Sequence, residues 1–285
     1  MSMPTHELLR SAAANRDLHQ RGFAVMPYLE AEALEQLQAL FNAVVPQPVS
    51  RFYASTHSPD LAFRQRVNDA IAPILAPAHQ QHLHRGQALG AALIAKPPGP
   101  AGILPLHQDW NIVNEGQARS FNIWIPLVDV DDHNGAVAVL PGSHRLFSNH
   151  RGPDIPSALA GYEARLQPRM HTVSMRAGEA LIYDHALWHR SAANESERLR
   201  PAVVLGLIPD GTALQFCFGA GEHIETYAGY PEYFFRQNLG EKPHDRPRLA
   251  ELPMPDYPLS ESEFLRLFPE KREIGFLRWW NKLVR

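Results

Sequence analysis

Apolar side chains recur at helical spacing in the first third of the chain. Leu34, Leu37, Leu40 and Phe41 predict a helix over 30–44, a second helix is expected over 6–20, and Gly22-Phe23-Ala24-Val25-Met26 reads as a short strand between them. The stretch 46–60 reads as a loop, either lying over a pocket or simply connecting, and 59–76 as another helix. Strand-like runs follow. Ala88 to Lys96 breaks at Pro97-Pro98-Gly99-Pro100 and resumes at Ile103; Ser120 to Leu127, Gly178 to Asp184 and the alternating Val203, Leu205 and Leu207 continue the rhythm. From about Thr212 prolines recur without strand rhythm, and no internal repeat is visible. At the carboxyl end, Ile274 to Arg285 mixes Trp279 and Trp280 with cations. It is read as a terminal helix docked on its own domain or on a dimer partner, in preference to an interfacial membrane helix.

Composition narrows the function classes. Length alone, 285 residues, permits one large domain or two smaller ones. Because 27 basic side chains face 30 acidic ones, the chain carries no overall footprint for a polyanion, so nucleic acid is excluded in favour of a small organic substrate. A single cysteine, Cys217, rules out an internal disulfide. No cationic-then-apolar leader opens the chain, and the apolar runs are too short to span a bilayer, which together predict a soluble cytoplasmic protein without stable membrane insertion. Twenty-five prolines and 18 glycines suit an all-β core with long loops.

The candidate chemistry lies in Leu106-His107-Gln108-Asp109-Trp110 and, eighty residues on, in Trp188-His189-Arg190-Ser191. Two imidazoles and one carboxylate are the ligand set of mononuclear non-haem iron(II) oxygenases. A strand turns alternate side chains to one face, so the step from His107 to Asp109 can aim both groups at one ion. An H-x-D triplet alone is commonplace; its company gives it weight. The strand-like Phe121-Asn122-Ile123-Trp124-Ile125-Pro126, the turn-rich Asp131-Asp132-His133-Asn134-Gly135, the segment Pro141-Gly142-Ser143-His144-Arg145 and Gly178-Glu179-Ala180-Leu181-Ile182-Tyr183-Asp184 follow in order.

This order, from Gly22 to about Ile208, resembles the phytanoyl-CoA dioxygenase family. The resemblance implies a mainly β fold with flanking helices on a double-stranded β-helix (jelly roll, cupin-like) core. It favours a single domain over 1–285, with 1–80 as helical support, 88–208 as the core and 212–285 wrapping it. It also implies iron(II), 2-oxoglutarate and O2, with hydroxylation of an unactivated C–H bond and release of succinate and CO2. His107, Asp109 and His189 would be the metal ligands. His185 also lies near, but His189 is followed by Ser191 and, eleven residues on, by Arg200, similar to the family's pattern. Arg200 would meet the C5 carboxylate of 2-oxoglutarate, since a buried carboxylate needs a charged, bidentate partner. Arg198 has the same strand parity; a hairpin around Asn194-Glu195 would make His189 and Arg200 cross-strand neighbours.

Ser191 would bind the same carboxylate or else satisfy turn backbone. Trp124 and Asn122 share a strand face, and the family places a tryptophan near this point against the cosubstrate. Lys96 is the candidate for the family's cosubstrate-binding lysine, at a shorter separation from the metal pair than the family has. Asp109 itself argues for hydroxylation, because related halogenases replace this carboxylate with a small residue. His133 and His144 are read as turn-stabilising. Arg51, Phe52, Tyr53, Trp110 and the segment Tyr227 to Phe235 line a pocket or fill core. Two rival functions are a non-redox cupin-like isomerase or hydrolase, for which Arg200 and Ser191 would have little purpose, and a noncatalytic ligand-binding protein, for which an intact triad would be unnecessary.

Overall fold

The computed structural model describes residues 7–146 and 149–269; the Trp279-Trp280 segment lies outside them. The chain opens with α1 (Ala12–Arg21), β1 (Phe23–Pro27), α2 (Ala31–Val44), β2 (Tyr53–Ala54), α3 (Leu61–His82) and β3 (Gly86–Lys96). Then come β4 (Leu104–His107), β5 (Phe121–Pro126), β6 (Val137–Val139), α4 (Glu163–Leu166), β7 (His171–Thr172), β8 (Glu179–Asp184), β9 (His189–Ser191) and β10 (Arg200–Pro209). The last elements are β11 (Gln215–Ala220), β12 (His223–Ala228), α5 (Tyr233–Arg236), β13 (Arg248–Pro253) and α6 (Glu261–Leu267).

Two sheets face each other. The larger runs β1-β8-β5-β10-β3-β2 and the smaller β4-β9-β6-β7, both antiparallel. Period-two alternation gives the inner strands of the larger sheet two apolar faces. On one, Leu93, Ala95, Ile123, Ile125, Ile182, Val203 and Leu205 pack against Leu37 and Phe41 of α2 and Val67, Ile71 and Leu75 of α3. On the other, Ile94, Trp124, Leu181, Tyr183 and Ala202 meet Val137 and Val139 from the smaller sheet and Leu187 from the turn before β9. Each fully buried side chain such as Ile123 or Leu93 contributes roughly 1.5–3 kcal/mol. Helices therefore cover one face of the larger sheet and leave the other to build a chamber.

Three expectations change. The first helix starts at Ala12, capped by the Ser11 side chain, not at residue 6. The third continues past 76 to His82 with Pro73 and Pro77 inside it, because Leu75 and Ala78 still bury on the sheet. The tail after 212 is not irregular: β11, β12 and β13 form a three-stranded sheet. Phe216 and Phe218 of β11 pack on Ile112 and Val113, just beyond Asp109, while Phe264 of α6 packs with Leu106 and Trp188, the neighbours of His107 and His189. Both halves of the tail thus brace the segments that carry the candidate ligands. Among the described residues no helix is long and apolar enough to cross a membrane.

Candidate metal centre

β4 and β9 pair with His107 opposite His189, and their rings lie 4.2 Å apart between centroids. Asp109 sits just beyond the end of β4, so strand alternation is not what aims it. Its amide N–H donates to His185 O at 3.0 Å, and its carbonyl accepts from Arg151 Nε at 2.7 Å. These two bonds turn its carboxylate back, with Oδ1 4.0 Å from His107 Nε2 and Oδ2 3.7 Å from His189 Nε2. One ligand atom from each of the three residues lies within 4.8 Å of the others, as donors around a shared ion require.

The imidazoles are set in the correct tautomer. His107 Nδ1 donates to Pro105 O at 2.8 Å and His189 Nδ1 to Leu187 O at 2.9 Å; a carbonyl can only accept, so both Nε2 atoms carry the lone pair a metal needs. Burial, reinforced by His107, lowers the His189 pKa to about 4, which keeps it neutral. Burial disfavours the Asp109 charge, but His189, His185, His107 and Arg151 outweigh it and hold the carboxyl below its ordinary range. His185 is placed differently. Its Nδ1 lies 3.0 Å from Ser120 Oγ, and its ring is outside the cluster formed by the other three.

Arg200 is 2% exposed. Its Nη1 donates to Gly135 O, its guanidinium lies 5.1 Å over the Trp124 ring, and its buried Nε has no partner. Burial lowers its pKa to about 10, so it remains a cation at neutral pH. Ser191 Oγ is likewise buried and unpartnered. Two unsatisfied buried groups, a cation and a hydroxyl, fit an incoming carboxylate. Arg198 is exposed. The expected hairpin is absent, however: β9 belongs to the smaller sheet and β10 to the larger, so His189 and Arg200 face each other across the chamber.

Two other candidates take different positions. Lys96, opposite Arg200 on β3, is fully buried, and its ammonium donates to Gly102 O and Ala192 O at 2.5 Å and to Ser191 O at 3.4 Å. All three N–H groups are used on backbone, so Lys96 ties two loops together instead of reaching into the chamber. Burial, then Arg200 and Arg190, lower its pKa to about 7. Asn122 reaches a metal-ligand candidate: its Nδ2 donates to Asp109 Oδ2 at 2.8 Å and to Tyr183 Oη at 3.2 Å. Of the two histidines read as turn-stabilising, His133 is exposed in its turn, where its N–H donates to Asp131 Oδ1, and His144 is buried with Nε2 3.2 Å from His19 O.

Sequence reading missed the supports. Tyr183 sets its ring 4.8 Å from His189, and burial together with Asp109 raises its phenol well above the ordinary range. Behind Asp109, Arg151 pairs with Glu115 through both terminal nitrogens. Arg119 lies 3.5 Å from Glu115 and bonds Asp184 at 2.6 and 2.8 Å. Glu115 and Arg119 are only four residues apart, but Arg151 lies 36 residues from Glu115 and Asp184 lies 65 from Arg119, and nothing in the local pattern links those.

Comparison with known proteins places the chain in a family. Residues 18–202 match the family described as phytanoyl-CoA dioxygenase (PhyH). The dioxygenase cdmA of Talaromyces verruculosus is 26% identical over 129 residues, 45% of this chain and 34% of that protein. Phytanoyl-CoA dioxygenase domain-containing protein 1 of Danio rerio is 26% identical over 157 residues, 52% of this chain and 50% of that one. The chain thus spans a third to a half of the length of these relatives. In fold it is similar to SnoK, a non-heme alpha ketoglutarate dependent carbocyclase from nogalamycin biosynthesis (18% identity, TM-score 0.52, 88% of this chain and 100% of that one). It is also similar to EctD from S. alaskensis, solved with 2-oxoglutarate and 5-hydroxyectoine (20% identity, TM-score 0.50, 72% of this chain and 78% of that one). With the match covering well over half of its length, the chain belongs to the phytanoyl-CoA dioxygenase family.

Proposed function

We propose that this protein is an iron(II)- and 2-oxoglutarate-dependent dioxygenase that hydroxylates an unactivated C–H bond of a small molecule. The observation that carries this reading is the buried Arg200 cation, stacked on Trp124 and lacking a carboxylate partner among the described residues, with the unsatisfied Ser191 hydroxyl in the same interior as the triad. A buried unpaired charge is costly. A dicarboxylate that met iron at one end and Arg200 at the other would relieve that cost.

On this reading His107, Asp109 and His189 hold iron(II), and Arg200 and Ser191 hold the C5 carboxylate of 2-oxoglutarate. Bound together with dioxygen, iron and 2-oxoglutarate supply the oxidising power: one oxygen atom enters the C–H bond as hydroxyl, the other enters succinate, and CO2 leaves. The chain's own contributions are positional. Asn122 and Tyr183 fix the Asp109 carboxylate, the Nδ1 bonds fix the imidazole planes, and Val137, Val139 and Leu187 pack against the larger sheet beside the site. Lys96 holds the loops around Ser191 and Gly102 in place. The test is aerobic succinate formation from 2-oxoglutarate with iron(II) and ascorbate. A slow uncoupled rate, abolished in His107→Ala and Asp109→Ala, is expected; turnover undiminished in both variants, or activity with zinc and no need for 2-oxoglutarate, would overturn the assignment.

A further inference from the structure

Gln108 stands between two of the candidate ligands, and its side chain goes elsewhere. It is buried and engaged at both ends of its amide: Nε2 donates to Ala186 O at 2.6 Å, and Oε1 accepts from Asn149 Nδ2 at 3.0 Å. The Ala186 carbonyl can only accept, which fixes the orientation of the Gln108 amide and, through it, that of Asn149.

These contacts replace a ladder that the sheet does not supply. β4 is the edge of the smaller sheet and meets β9 with Leu104 opposite Ser191 and His107 opposite His189, the register shifting between the two pairs. From Gln108 to Ile112 no strand pairing holds the chain among the described residues, yet Asp109 Oδ2 is kept 3.7 Å from His189 Nε2. Asp109 N–H donates to His185 O at 3.0 Å, so this bond and the one from Gln108 grip two consecutive carbonyls of the turn that leads into His189. One backbone bond would leave a hinge; a second from the neighbouring side chain removes the rotation.

The other end of the Gln108 amide reaches a second support. Asn149 lies in the same short loop as Arg151, whose Nη1 donates to Asn149 O at 2.9 Å and whose Nε donates to Asp109 O at 2.7 Å. Glycine lets this loop lie directly on β11: a Cβ at residue 152 would strike the Cys217 carbonyl oxygen, and Gly219 N–H donates to Pro153 O at 2.8 Å. The turn is fixed as well, by Asp184 Oδ1 accepting from Ala186 N–H at 2.8 Å. Gln108 thus joins two supports that are each already anchored.

We propose that Gln108 is a positioning residue of the metal centre: by bridging the turn before His189 and the loop that holds the Asp109 carbonyl, it keeps Asp109 and His189 at ligating separation before an ion arrives. This rests on the reading of the triad as the iron site. The side chain touches no ion itself and acts through the two segments it ties together.

The test is cobalt(II) titration of the folded full chain, followed by the visible ligand-field bands, with the Tm of the metal-free protein measured beside it. Gln108→Met keeps the volume and loses both bonds. Its cobalt(II) affinity is expected to fall by about 10–100-fold, with altered bands, as for the loss of other groups that orient metal ligands. Asn149→Leu is expected to lose a smaller factor, roughly three- to tenfold. The double variant should be no worse than Gln108→Met, because Asn149 acts on the centre through Gln108.

A glutamine that only stabilised the fold would lower Tm and leave the affinity and the bands unchanged; that result overturns the proposal, and so do losses that multiply in the double variant. Should Gln108→Met not fold, Asn149→Leu decides alone, and unchanged cobalt(II) affinity there overturns the bridge. Cobalt(II) binding that survives His107→Ala lies elsewhere than the triad and sinks the parent reading instead, whatever the Gln108 variants do.

Discussion

Asn122 Nδ2 donates to Asp109 Oδ2 at 2.8 Å, across thirteen residues of sequence and from the opposing sheet's side of the chamber. That carboxylate therefore has one oxygen tethered and a fixed plane before any ion arrives. Outer partners of this type typically contribute 10–100-fold to metal affinity. Asn122→Ala is expected to weaken iron(II) binding by about that factor, and Asn122→Asp to make it more pH-dependent, since a second negative charge raises the Asp109 carboxyl pKa while adding attraction for the cation. Metal titration of folded protein measures this; unchanged affinity in both variants would leave the contact without consequence.

The two neighbouring histidines should separate cleanly. His189→Ala removes a donor and is expected to abolish tight iron binding, whereas His185→Ala loses the contact with Ser120 and a share of the field on Asp109 but no donor, and is expected to retain it. Reversed phenotypes in an iron-binding assay would move the third ligand.

Arg200→Ala removes the charge offered to the C5 carboxylate. Breaking a buried pair costs about 3–5 kcal/mol, so the Michaelis constant for 2-oxoglutarate should rise by roughly a hundredfold or more, with iron binding intact. Arg198→Ala, an exposed side chain, should change it by less than about fivefold, consistent with surface pairs worth roughly 0–1 kcal/mol. Kinetics in the two variants decide between them.

Arg151 and Glu115 form a buried bidentate pair. Arg151→Ala is expected to destabilise by about 1–3 kcal/mol, because it leaves the buried Glu115 carboxylate with only Arg119 at 3.5 Å, and to lower iron affinity through the lost bond to Asp109 O. Arg151→Met with Glu115→Leu should destabilise much less than either single change, as coupled partners do. Denaturant unfolding of the three variants checks this, and simple additivity would count against a coupled pair.

Stability should fall in mild acid. Burial, only partly opposed by Asp184, lowers the His144 pKa to about 4, against an unfolded value of about 6.5. A depressed histidine contributes stability above its unfolded pKa, and that contribution is lost as pH falls from about 6.5 toward 4, because the unfolded chain takes the proton first. The amplitude is on the order of 3 kcal/mol. His144→Gln is expected to flatten that part of a Tm against pH curve.

Much of the chamber was legible in the chain, and the reasons for the gaps are local. β5 and β8 show themselves through apolar runs, and Arg200 through its spacing from His189, because each signal lies within one or two adjacent elements. β11 hides, since Phe216, Cys217 and Phe218 are all buried and leave no alternation. β13 hides for the opposite reason: it is exposed along nearly its whole length and is held by backbone pairing to β12. The hairpin expected between His189 and Arg200 failed because strand parity says which face a side chain takes, not which sheet its strand joins. Asn122 shared the face of Trp124 as expected, yet its partner was set by where the chain places Asp109 after β4 ends.

The division of His189 and Arg200 between opposing sheets turns the sandwich into a caliper. On the proposed reading iron is gripped by the smaller sheet with Asp109 and the far carboxylate by Arg200 of the larger sheet together with Ser191 of the smaller, so the gap between His189 and Arg200 is set by packed side chains such as Val139, Leu187 and Leu181, which resist compression. A 2-oxo acid one methylene shorter would fall short of the guanidinium, and one a methylene longer would have to buckle. Oxaloacetate and 2-oxoadipate should thus be poor replacements for 2-oxoglutarate, and trimming Leu187 or Val139 is where that selectivity would begin to loosen.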